Sequence, residues 1–117
     1  MAGVSVRRVG DSTGTGWDEH DDLIAVRSRI DQLDDELIRL LARRQVQVSR
    51  AALIKRDAAA VHAPARQAEV IARVRERSLA EGLDTDVAEQ TWRAMIAGFV
   101  SLELREHEAA KGSSNDA

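Results

Sequence analysis

Between Trp17 and Ala63 the chain contains neither glycine nor proline, so nothing in that stretch forces the backbone out of a helix. Along it Leu23, Val26, Ile30, Leu33, Leu37, Leu40 and Leu41 recur at steps of three and four, the spacing of one helix face. The pattern predicts one helix of about 35 residues, roughly 50 Å long, with Asp21 or Asp22 capping its start. A compact monomer of about 90 ordered residues is only ~30 Å across. Such a helix projects beyond its own body with its Leu and Ile stripe uncovered. Two chains that intertwine as a homodimer would bury the stripe. The alternative is a monomeric three-helix bundle whose first helix kinks.

The rest of the chain also reads as helical. Pro64 suits the first turn of a second helix, with Val61, His62 and Ala63 as the loop before it. Val70, Ile71 and Val74 mark that helix's inner face. Gly82 suits a left-handed terminator, and Asp84 a cap for a third helix, with Leu83 and Ala88 as a weak staple. Val87, Thr91, Trp92, Met95, Ile96, Phe99 and Val100 form the third apolar stripe and are expected in the core. No strand signal is present. The expected fold is all-α, with three helices per chain and a very long first one. Residues 1–20 hold four of the seven glycines and read as a disordered tail, as do residues 112–117, leaving a domain over residues 21–111.

Composition removes several classes of function. The chain has no cysteine, hence no disulfide, thiol nucleophile or cysteine-type zinc site. No stretch approaches the roughly 20 apolar residues of a membrane span, and the start lacks the apolar core of a secretory signal, so a cytoplasmic location is expected. Of 17 basic and 20 acidic residues, residues 1–22 hold two and five, so the body carries 15 of each sign. A body without net charge, with only Trp17, Trp92 and Phe99 as aromatics, offers no footprint for nucleic acid. No serine stands in a nucleophile elbow and no glycine spacing cradles phosphate. His20, His62 and His107 are a poor metal set. Glu103 and His107, four apart, read as a solvated pair rather than ligands, so no metal and no cofactor are expected.

Cations placed among the apolar positions of the long helix are more informative. Arg44 follows Leu40 by four residues, where the stripe calls for an apolar side chain. Lys55 lies eleven residues further, so the two point the same way within roughly 20° at about 16 Å along the axis. Two such long side chains can converge on one small anion. Arg27 is roughly 42 Å from Lys55 along the helix, and reaches that anion only from the partner chain of an antiparallel dimer. Taken singly, each of these, and Arg66 after Pro64, is also readable as an ordinary surface cation.

Together, Arg27-Ser-Arg-Ile30-Asp31, Leu33-Asp34, Leu40-Leu41-Ala-Arg-Arg44 and Lys55 resemble the first helix of AroQ-type chorismate mutases. Ala63-Pro64-Ala65-Arg66, and Leu83-Asp84 through Met95-Ile96, resemble the rest of that fold, and the likeness spans about residues 22–107. It implies an intertwined helical dimer that holds a small dicarboxylate, chorismate, and isomerises it to prephenate without covalent intermediate or cofactor. Guanidinium forks suit the two carboxylates, and preorganised donors suit the charge that develops on the breaking ether oxygen. Carried over by position, Arg44 and the partner's Arg27 hold carboxylates, Lys55 donates to the ether oxygen, and Arg66 belongs to the site from the second helix.

Three positions depart from the usual mutase pattern. Ala63 stands where Asp is common. Gln67 stands where Glu commonly bonds the ring hydroxyl, and still offers a hydroxyl partner. Glu103 stands where Gln commonly donates to the ether oxygen. Ionised, Glu103 cannot donate and repels the developing oxyanion; only its protonated form does the job. Glu103 is equally readable as facing solvent beside Arg105 or His107. The Ala-Pro-x-Arg loop also resembles the isochorismate-pyruvate lyases, which use the same cations to release pyruvate and give salicylate. A mutase acting on an amino analogue of chorismate, and a non-catalytic helical interaction module, complete the alternatives.

Overall fold

The computed structural model describes residues 19–55 and 57–116. Its helices are α1 (Glu19–Ile54), α2 (Ala58–His62), α3 (Pro64–Glu81) and α4 (Thr85–Asp116), with no strand among the described residues. The fold is thus all-α, built on three main helices with a very long first one, as the periodicity predicts. α1 is 36 residues long. The chain divides into two units, residues 1–43 and 44–117.

In the first unit, α1 begins at Glu19, so Asp21 and Asp22 lie inside its opening turn instead of capping it. The charge of Asp22 still suits the positive end of the helix dipole. The expected tail over residues 1–20 falls outside the described residues up to position 18. The apolar stripe of residues 22–43 is uncovered: Leu33 is 56% and Leu37 54% exposed.

The second unit holds the end of α1 with α2, α3 and α4; α3 and α2 both pack on α4. Its buried apolar residues are few and mostly small: Ala52, Val61, Ile71 and Ala88. Val87 and Thr91, expected to face inward, are exposed, because Ala88 takes the inward position at that turn and its neighbours rotate away.

The local signals around the helix ends act as their chemistry requires. Pro64 opens α3, and Gly82 closes it at φ 77, in the left-handed region. The Leu83 N–H then reaches back to the Ser78 carbonyl at 2.9 Å. Asp84 Oδ1 accepts from the N–H groups of Asp86 and Val87, both at 3.0 Å; a cap of this kind contributes about 1 kcal/mol. Glu89 ties α4 to α3, accepting from Arg93 at 2.7 Å and Arg75 at 2.6 Å. Those hydrogen bonds, Arg93's first, hold its carboxyl below the ordinary glutamate range, so the tie persists into mild acid.

Two segments differ from the sequence reading. Val61 and His62 belong to the short helix α2 rather than to a loop. Asp57 caps it, its Oδ1 accepting from the Ala60 N–H at 2.9 Å, and Val61 is anchored at 3% exposure. Only Ala63 turns the chain, at φ 28 and ψ 65, a left-handed geometry that L-residues other than glycine rarely hold. At the other end, α4 continues to Asp116 through the segment read as a tail. One glycine costs about 1 kcal/mol in a helix and serine less, too little to end a helix already 27 residues long at Lys111. No helix among the described residues is long and apolar enough to cross a membrane.

Candidate functional site

In the second unit, the end of α1, the α2–α3 junction and α4 line an open cavity of about 320 Å3. That size is at the lower end for small-molecule pockets. Arg44, Lys55, Arg66, Gln67, Phe99 and Glu103 all line it, so five of the six residues singled out in the sequence come together here. The sixth, Arg27, is exposed in the first unit and is not among the lining residues.

The geometry of α1 accounts for the pairing of Arg44 and Lys55. Eleven residues are close to three full turns, and Lys55, one residue past the helix end, keeps the ladder bond from its N–H to the Ala51 carbonyl at 3.0 Å. Its Nζ donates to Glu103 Oε2 at 2.8 Å. Glu103 is only 7% exposed, which overturns the reading in which it faces solvent beside Arg105 or His107. A buried carboxylate needs a cation, and Lys55 is the one within reach. One turn further along α4, Glu106 accepts from the Ser49 hydroxyl through both carboxylate oxygens, at 2.9 and 3.1 Å. The two carboxylates together pin α4 to the last turns of α1.

Arg44 is held differently. Its guanidinium lies over the Phe99 ring, 5.0 Å from the centroid, and its Nη1 is buried with no hydrogen-bond partner among the described residues. An unmet buried donor costs about 1–3 kcal/mol, more for a charged group, so it marks a place where a ligand acceptor is favoured. Arg66 is exposed and paired with Glu69 at 2.6 Å. Gln67 Nε2 donates to the His62 carbonyl, latching the end of α2 and leaving its Oε1 as an acceptor. No cluster of metal-ligating side chains occurs among the described residues.

Sequence reasoning missed three contributors. Phe99, read as core, is a half-buried part of the cavity wall. The signal available was its place four residues before Glu103, on the same face of α4. Ser49 and Glu106 carried no signal, since their pairing joins residues 57 apart.

A second hollow of about 440 Å3 shares Arg44 and Arg66 with the first and adds Arg73, Arg77, Leu83 and Trp92. Arg66, Arg73 and Arg77 recur at steps of seven and four along α3, one stripe of a helix.

Two comparisons with known proteins bear on this site. The family description of chorismate mutase type II matches residues 26–104, which includes all six candidate site residues. No curated protein matches the chain.

Proposed function

The chain belongs to the chorismate mutase type II family, and from that membership we propose that it binds chorismate in the Arg44–Lys55–Glu103 cavity and rearranges it to prephenate. The observation that carries this reading is the Nη1 of half-buried Arg44, itself buried and unmet by any protein acceptor among the described residues, in a cavity also lined by an ion-paired Lys55. Around the cavity three cations, Arg44, Lys55 and Arg66, face one carboxylate, Glu103. With Lys55 paired to Glu103 and Arg66 to Glu69, Arg44 is the cavity cation left without a carboxylate among the described residues, and a partner's Arg27 would supply the second cation for a ligand with two carboxylates.

The rearrangement is pericyclic. One C–C bond forms between the enolpyruvyl methylene and the ring as the ether C–O bond breaks, and no proton or electron enters or leaves. The protein's part is therefore to hold the substrate folded and to stabilise the charge that builds on the ether oxygen. Arg44 takes one carboxylate. Lys55 has three N–H donors, of which Glu103 occupies one, and the others serve the ether oxygen and a neighbouring carboxylate. Glu103 accepts one Lys55 bond through Oε2, and its part is to aim the Lys55 Nζ. Gln67 Oε1 accepts the ring hydroxyl.

The homodimer belongs to the same proposal. It is supported by the uncovered stripe of α1 and by complementary charge, since Asp31, Asp34 and Asp35 follow Arg27 on α1 while Arg73 and Arg77 follow Arg66 on α3. Arg27 and Asp34 are seven residues apart, as are Arg66 and Arg73. A partner's α1 lying along the second hollow would thus bring the partner's Arg27 to the shared Arg66.

Incubation with chorismate, and separately with isochorismate, tests the activity: prephenate from the first supports the proposal. Salicylate and pyruvate from the second, without prephenate from the first, would assign the chain to the lyases. Subunit sharing has its own test. Arg27→Ala and Arg44→Ala chains, each with only residual activity alone, are expected to regain about one quarter of normal activity after unfolding and refolding as an equal mixture. Half the dimers are then mixed, and each carries one intact site. A mixture as inactive as its components would place both arginines in one chain's site or remove one from catalysis.

A further inference from the structure

Two of the cations that line the site are held by different means. Lys55 is held by a carboxylate, which takes one of its donors and offsets its charge. Arg44 is held by a ring: its guanidinium lies 5.0 Å from the centroid of Phe99. No carboxylate pairs with it among the described residues. The face of an aromatic ring carries the negative part of its quadrupole, so it attracts and orients a guanidinium plane without accepting its in-plane N–H bonds. Phe99 and Glu103 stand four residues apart on α4, so consecutive turns of one helix present the two holders to the two cations.

We infer that Phe99 is a positioning residue for Arg44. The ring replaces the acidic side chain that would otherwise orient the guanidinium, and so leaves both its charge and its N–H fork for a ligand carboxylate. It also excludes water from one face of the group, which strengthens the bond the group makes to an anion. This inference rests on the reading of the cavity as a dicarboxylate site.

Steady-state kinetics with chorismate on Phe99→Leu, Phe99→Tyr, Arg44→Ala and the Phe99→Leu/Arg44→Ala double variant test it, together with NMR of the arginine side chains. Phe99→Leu is expected to raise KM about tenfold with kcat changed less than about threefold. Phe99→Tyr keeps the ring face and is expected to stay within about twofold of the unaltered chain. In the Arg44→Ala background Phe99→Leu is expected to lower kcat/KM no further, because the group it acts through is gone. The Arg44 Nε–H resonance should show a ring-current shift in the unaltered chain and in Phe99→Tyr, and lose it in Phe99→Leu. An unchanged KM in Phe99→Leu, the same tenfold loss in the Arg44→Ala background, or an unshifted Arg44 resonance overturns the inference. Should the unaltered chain fail to turn over chorismate, the functional reading falls; the ring-current shift then decides separately whether Phe99 holds Arg44.

Discussion

Replacing Arg44 by Ala is expected to lower kcat/KM for chorismate by about three orders of magnitude with the helical fold intact. Removing one partner of a desolvated, hydrogen-bonded charge pair costs about 2–5 kcal/mol, and each 1.4 kcal/mol is roughly a factor of ten. The loss should be this large because Arg44 is the lining cation that no carboxylate neutralises among the described residues, Lys55 and Arg66 being paired with Glu103 and Glu69. Stability should change little, since Arg44 makes no ion pair among the described residues and one of its nitrogens is buried unmet. Arg44→Lys restores the charge without the planar fork and should recover only about one of the three orders. Kinetics alongside thermal melts check both parts. Activity of Arg44→Ala within about tenfold of the unaltered chain would end the assignment of Arg44 as the carboxylate clamp.

The second large effect is expected at Lys55, and here activity and stability separate. Lys55→Met keeps most of the side chain's bulk and removes its donors, so kcat is expected to fall by about 10²–10³, as for loss of one preorganised oxyanion donor. The same change strands Glu103, 7% exposed, without its cation. Breaking a buried pair costs about 3–5 kcal/mol; with Lys55 partly open to solvent, roughly half of that is expected. Adding Glu103→Met removes the stranded charge without supplying a donor of its own. The double variant should therefore regain much of the lost melting temperature while remaining as slow as Lys55→Met. If the double variant recovered activity as well, Lys55 would serve the fold through Glu103 and not the ether oxygen.

Much of this arrangement is legible along the chain, for definite physical reasons. The length of α1 follows from an unbroken run of helix formers with a three-four stripe, and Pro64, Gly82 and Asp84 each act within a turn of their own position. Arg44 and Lys55 are legible as a pair because they share one helix, whose periodicity converts sequence distance into direction. α2 escaped notice because five residues are too few for periodicity to register; its readable sign was the Asp57 cap. The Lys55–Glu103 bond joins residues 48 apart, on helices whose mutual register no local pattern encodes. Phe99 shows a different limit. An apolar stripe says which side of α4 is turned inward, and the inside of this unit is partly cavity, so the same periodicity describes a core residue and a wall.

Ala63 holds its left-handed turn without glycine's freedom, at a strain of about 1–2 kcal/mol. Laboratory selection for heat tolerance would therefore be drawn to glycine at this position. That exchange would relieve the strain and also remove the methyl-bearing residue that lines the pocket between α2 and the Gln67 latch. A hardier chain with a looser binding pocket is the trade this one residue sets for anyone redesigning the protein.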